Sequence, residues 1–113
     1  MEKLLLPNNV EMDCRRIILL ESNSNYTTIF STAKPPLVTV ARSLCHVASQ
    51  LDASRFLRVN RSTVVNVSKI RSFRLSQLHV LITMTSGHKI KSSRRRTATV
   101  LKGLKENQTL QST

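Results

Sequence analysis

Phe56-Leu57-Arg58-Val59-Asn60-Arg61-Ser62-Thr63-Val64-Val65-Asn66 is the stretch on which the fold turns. Two β-like runs, Phe56 to Val59 and Val64 to Val67, flank the polar triplet Asn60-Arg61-Ser62. Successive strand residues point to opposite faces, so Phe56 and Val59 cannot share one. A bend or loop near Asn60 to Ser62 is therefore expected, and it lifts Arg61 clear of the sheet.

Strand signals continue on both sides. Upstream, the apolar run Arg15 to Leu20, the polar Glu21 to Asn25 and the segment Tyr26 to Phe30 predict strand, loop, strand. Lys34-Pro35-Pro36 predicts a turn and Leu37 to Val40 another strand. Ser43 is a candidate N-cap, and Leu44, Val47, Ala48 and Leu51 recur at i, i+3, i+4 and i+7, predicting a helix of about ten residues. Downstream, Ile70 to Leu75, Leu78 to Met84 and His88 to Lys91 are expected strands, with a tight hairpin turn at Ser86-Gly87. Leu78, Val80, Ile82 and Met84 alternate onto one face. Ser92-Ser93 before Val100, Leu101 and Leu104 predicts a short C-terminal helix that Gly103 weakens, with a polar tail over 107–113 expected to fray. The fold class expected is mainly β with one or two short helices.

At 113 residues, the chain is expected to form one domain over 1–113. Aromatics are few, so Leu, Ile and Val must fill the core. Two glycines and three prolines exclude a low-complexity chain. No apolar run reaches the roughly 18 residues of a membrane span, and Leu4-Leu5-Leu6 stops at Pro7, so a cytoplasmic protein is expected. Cys14 and Cys45 read as two small core residues without a disulfide. His46, His79 and His88 lack metal-ligand spacing, and there is no glycine-rich phosphate loop. Six scattered acids supply neither paired carboxylates nor an activated nucleophile. No catalytic, metal or cofactor site is expected.

Charge gives the function class. From Ala53 to Lys105 there are thirteen lysines and arginines and no acid, within a chain of net charge +12. Charge of one sign repels itself, which suggests that a polyanion, foremost nucleic acid, supplies the compensation. Arg55, Arg58 and Arg61 surround the bend; Lys69, Arg71 and Arg74 follow it. Lys89, Lys91, Arg94, Arg95 and Arg96 span the last strand and the start of the final helix. Arg42 precedes the Ser43 cap, at a helix N-terminus that favours anions. These cations sit at loops and strand ends, which disfavours a recognition helix and favours loops entering the major groove. Guanidinium can bond guanine O6 and N7 together, so Arg61 and Arg94 are the candidates for base edges. Lysines such as Lys69 and Lys91, and the remaining arginines, would hold phosphates.

At these residues the chain resembles the LytTR-type DNA-binding domain, the output module of many bacterial two-component response regulators. The resemblance rests on Leu20-Glu21-Ser22-x-x-Asn25-Tyr26-Thr27, Arg42-Ser43-Leu44, the Phe56 to Asn66 block with Ile70, Ser86-Gly87 and Ser93-Arg94-Arg95. It runs from about Ile17 to Leu104, and the Phe56 to Asn66 block is its most specific part. It implies elongated antiparallel β-sheets with a short helix, and loops that enter successive major grooves of double-stranded DNA. Three DNA-contacting segments follow from it: Asn25 to Thr28, Arg58 to Ser62 and Ser92 to Arg95. Thr27, Arg61 and Arg94 would face bases; Thr28, Arg58, Ser62 and Ser92 would touch the backbone, with Asn60 and Ser93 inside the same segments. Two copies on paired sites are a further implication. Departures are Asn60, where histidine is common, and Ser24, where glycine is. Some sixteen residues precede the matching region and hold no aspartate-rich receiver, so a stand-alone regulator or an excised domain is expected.

Two other binding readings stand beside this one. A small basic RNA-binding protein would expose aromatic stacking platforms, and Phe30 and Phe56 are wanted for the core. An interaction partner of another regulator, without its own DNA target, would have lost the arginines at the bend and last strand, which are present.

Overall fold

The computed structural model describes residues 3–6 and 10–111, with side chains described for 3–6 and 11–106. Its first two strands, β1 (Lys3–Leu6) and β2 (Val10–Asp13), form an antiparallel pair. The central sheet comprises β3 (Ile17–Asn23), β4 (Tyr26–Ser31), β5 (Leu37–Val40), β6 (Phe56–Asn60) and β7 (Thr63–Asn66). Its strand order is β5-β4-β3-β7-β6, antiparallel throughout. A second sheet holds β8 (Ile70–Ser76), β9 (His79–Met84) and β10 (Lys89–Lys91), with β9 in the middle. The helices are α1 (Leu44–Ala48) and α2 (Thr97–Gln111).

The middle of the central sheet, where β3 and β7 pair, is buried on both faces, which explains why these two strands carry continuous apolar runs rather than alternating ones. Every residue from Ile17 to Leu20 and every residue of β7 is buried. One face carries Ile17, Leu20, Ile29, Phe56 and Val64 against β1, β2 and α1, with Leu4, Leu6, Met12, Leu44 and Val47 completing that core. The opposite face carries Leu19, Val59 and Val65 against the second sheet and α2, through Val80, Ile82, Met84, Val100 and Leu104. Phe56 and Val59 thus lie on opposite faces, as strand alternation requires, and both are buried. The expected bend is a hairpin turn at Arg61-Ser62.

Two bulges adjust which face each residue meets. The register shifts between Ile17 and Leu19, so Ile18 and Leu19 both enter the second core. It shifts again between Arg58 and Asn60, with Val59 as the extra residue. Glu21, on the same face as Leu19, lies opposite Thr63, and Thr63 lies opposite Asn60. The bulge therefore turns Asn60 toward the second sheet.

Several local expectations are corrected. Arg15 and Arg16 belong to a 3-10 turn, not a strand; Asp13 caps it by accepting Arg15 N–H at 2.9 Å. The strand then runs to Asn23, so the expected loop over 21–25 shrinks to a turn at Ser24-Asn25, with Ser24 at φ +60°. That left-handed backbone is what a glycine would relieve. Leu78 does not join Val80, Ile82 and Met84: it lies in the β8–β9 turn and is 54% exposed. Val67 leaves β7 for a 3-10 turn capped by Asn66. Helix α1 has five residues rather than about ten, because the chain turns at Ser49-Gln50. Cys45 is exposed, since it lies off the Leu44, Val47, Ala48, Leu51 stripe, while Cys14 is buried. Helix α2 is longer than expected and continues through Gln111 into the polar segment expected to fray; residues 112–113 lie outside the described residues. Gly103 lets α2 approach the sheet, since a Cβ there would stand 3.1 Å from Leu57 Cδ1.

Candidate nucleic-acid interface

Segments far apart in sequence meet at one end of the central sheet. The β3–β4 hairpin closes at Ser24-Asn25 and the β6–β7 hairpin at Arg61-Ser62. Because β3 and β7 are neighbours with Glu21 opposite Thr63, the two tips lie side by side. Ser22 N–H donates to Ser62 O across them at 2.8 Å. Strand β5 leaves at this same end, with Val40 opposite Thr27, so Arg42 follows beside the first tip. Beyond β6, Asn60 Nδ2 donates to Lys91 O at 2.9 Å and Ser93 N–H to Val59 O at 3.0 Å. The result is a row of Arg42, Asn25, Arg61-Ser62 and Lys91 to Arg95, with about 4.8 Å between successive strands.

The central hairpin is braced by its own side chains. Asn60 Oδ1 accepts Ser62 N–H at 2.9 Å and Ser62 Oγ–H at 3.2 Å, an Asx-type turn. Arg58 Nε donates to Asn60 O at 3.1 Å and Arg58 Nη2 to Arg61 O at 2.5 Å. The half-buried Arg58 therefore holds the turn carbonyls and leaves Arg61 exposed at the tip. Ser93 opens a 3-10 turn, Arg94–Arg96, with Arg94 and Arg95 exposed.

Not every expected site residue reaches this surface. Thr27 is fully buried, and its hydroxyl donates to Arg42 O at 2.7 Å. It points inward because β4 alternates, with Thr27, Ile29 and Ser31 all on the core side. Ser92 is also buried; its Oγ accepts Val80 N–H at 2.8 Å and bonds Thr97 Oγ1 at 3.0 Å. In this conformation both hydroxyls shape the edge from behind. Thr28 is half-buried and shares a hydrogen bond with Thr39 at 3.0 Å. Lys69 lies on the 3-10 turn past the far end of β7, away from the row. The anion site expected ahead of α1 is reduced as well: the helix is a turn and a half, and Ser43 Oγ already accepts His46 N–H at 3.1 Å. The Asn60–Lys91 link escaped sequence reading, because nothing in the residue pattern marks the bulge that turns Asn60.

Electrostatically the row is one-sided. The ion pairs Lys3–Glu11 at 3.3 Å and Arg15–Asp13 at 2.9 Å involve none of the row's cations. Among the described residues, no carboxylate pairs with Arg42, Arg61, Lys91, Arg94 or Arg95. Glu21, exposed and in register with Thr28 and Thr63, is the acid beside the row. Cations at strand ends, on backbone that is hydrogen-bonded from strand to strand behind them, have the chemistry of a surface that attracts polyanions.

The comparisons with known proteins agree with that class. The chain belongs to the LytTr DNA-binding domain family, which it matches over residues 8–105. Among solved structures its fold is similar to the LytTr DNA-binding domain assigned to a methyl-accepting/DNA response regulator from Bacillus cereus. The identity is 21%, the match covers 90% of this chain and 93% of that one, and the TM-score is 0.72. A search of curated proteins gave no significant match. The mainly β, antiparallel fold expected from the sequence is the one observed.

Proposed function

We propose that the protein is a sequence-specific regulator of transcription that binds double-stranded DNA through the row at the end of its central sheet. The observation that carries this is the hydrogen bonding of three separate segments into one edge: Ser22 to Ser62, Asn60 to Lys91 and Ser93 to Val59. Loops so tied keep a fixed spacing, which is what reading a fixed base sequence demands. In this reading Arg61 and Arg94 reach base edges in the major groove, and Asn25, Arg42, Lys91, Ser93 and Arg95 hold the backbone. Arg58, Asn60 and Ser62 set the geometry of the central tip, while Thr27 and Ser92 support it from inside. In this reading the loops enter successive major grooves, roughly 34–36 Å apart along the duplex. The family is a DNA-binding one, not an enzyme family.

An RNA-binding role finds less support. Phe56 is buried, Phe30 and Phe73 pack against the second core, and among the described aromatics only Tyr26 stands more than half exposed. A single exposed ring makes a poor stacking platform.

The test is a titration of the chain against the duplex upstream of its own gene, a scrambled duplex and single-stranded RNA, each over a salt series. About six neutralised phosphates give a log–log salt slope of roughly −5, with the upstream duplex preferred. Equal affinity for the scrambled duplex at every salt concentration overturns the sequence-specific reading.

A further inference from the structure

We propose that the outer face of the second sheet extends the DNA interface, taking the phosphate backbone that flanks the segment gripped by the loop row. The proposal rests on the DNA-binding reading above and adds a surface the loops do not include.

Register defines this face. Val80, Ile82 and Met84 point into the second core, so Leu81 and Thr83 point outward. Lys91 and Arg74 both lie opposite Leu81, on either side of it; Lys89 and Ser72 both lie opposite Thr83. Directly paired residues share a face, so three cations line a shallow trough whose floor is Leu81 and Thr83. The trough has a volume of about 380 Å³. Arg74 and Lys89 are exposed, and neither side chain has a hydrogen bond or ion pair to another described residue. No acid occurs in sequence between Ala53 and Lys105, so no carboxylate on this sheet competes for them.

Continuity argues for DNA rather than an acidic protein segment. Lys91 belongs to both surfaces: its side chain lies on the trough, and its carbonyl accepts Asn60 Nδ2 of the central hairpin. A duplex whose grooves are entered by the loops therefore passes next to Lys91, and its flank meets Arg74 and then Lys89. Few hydrogen-bonding groups line the trough apart from these cations, Ser72 and Thr83. Such a surface offers charge without base recognition, the chemistry of phosphate contacts.

The experiment compares the wild-type chain with the double substitution Arg74→Gln and Lys89→Gln on a duplex of about 40 base pairs, more than three helical turns, enriched from a random pool by the wild-type chain. Loss of two phosphate contacts should lower the magnitude of the salt slope by about 2. Trimming base pairs from one end should weaken the wild type but not the double variant, until both bind equally. An unchanged slope, or equal sensitivity to trimming, overturns the proposal and leaves an acidic protein segment as the occupant to test. If enrichment yields no preferred duplex, sequence specificity fails, yet the slope comparison on the unselected pool still decides whether this face touches DNA.

Discussion

Ser92 Oγ illustrates how one buried hydroxyl can shape the proposed interface from behind. It accepts the Val80 N–H at 2.8 Å and meets Thr97 Oγ1 at 3.0 Å, joining β9 to the start of α2. Ser92→Ala leaves a buried N–H without its acceptor, which should cost about 1–3 kcal/mol of stability. Urea unfolding measures that loss, while the folded variant should bind DNA nearly as tightly as the wild type; a large loss of affinity at full stability would make Ser92 a direct contact after all. Arg61 and Arg94 differ in kind, being exposed. Arg61→Ala or Arg94→Ala should each cost about 1–3 kcal/mol of binding and relax preference at one base position, read by titrating single-base variants of the site. If the loss is uniform across all sequences, the role is phosphate binding instead. Asp13 gives a prediction in pH. Hydrogen bonds from the Arg15 side chain and backbone, with its positive charge, lower the Asp13 pKa from 3.8 to about 2. A depressed folded value means its stabilising contribution is present above the ordinary value and disappears as pH falls through about 2. Carboxyl chemical shifts followed by NMR should show that low midpoint, and Arg15→Ala should return it toward 3.8.

At the scale of elements, the β6–β7 hairpin depends on Asn60 more than on any cation. Its side chain donates to Lys91 O and accepts from Ser62, so one residue closes the turn and ties it to β10. Asn60→Ala should lower stability by about 1–3 kcal/mol, since it removes three hydrogen bonds. It should also weaken specific binding more than scrambled-duplex binding, because the tips lose their fixed spacing but keep their charge. Equal weakening of both would mean that Asn60 contributes only stability. This hairpin also marks the limit of what the sequence reveals. The apolar runs around it, the turn between them and the exposed arginine at its tip are legible, because burial and turn chemistry leave a residue pattern. Strands β4 and β9 are legible for the same reason. The Val59 bulge is not, since an inserted valine looks like any other strand valine. Nor does a serine or threonine reveal its direction: Thr27 and Ser92 lie within the segments proposed to contact DNA, yet both turn inward. Helix α1 was legible in its cap and stripe but not its length, because Ser49 and Gln50 do not forbid a further turn.

The whole molecule is a sheet shared between two cores, and the loop row is built from the end of that sheet. Adjacent residues of β3 serve different cores: Leu20 packs with β1, β2 and α1, while Leu19 packs with the second sheet and α2. Both are essentially inaccessible, at 0% and 1%. Either substitution, Leu19→Ala or Leu20→Ala, should destabilise by about 2–5 kcal/mol, the range for emptying a packed aliphatic site. Because one strand carries both, loss of either core should unfold the molecule in a single step. Far-UV circular dichroism reports the sheets together, and methyl NMR signals from Val47 and Val100 report the two cores separately. All three probes should give one urea midpoint in each variant. Separate midpoints for Val47 and Val100 would show two independent units. The row would then have a second point of weakness, because Ser92 and Arg94 are anchored on the α2 side while Arg42 follows β5 toward α1. Coincident midpoints are what a rigid reader needs: tips on three different hairpins and turns can hold one spacing only if the sheet beneath them does not come apart in halves.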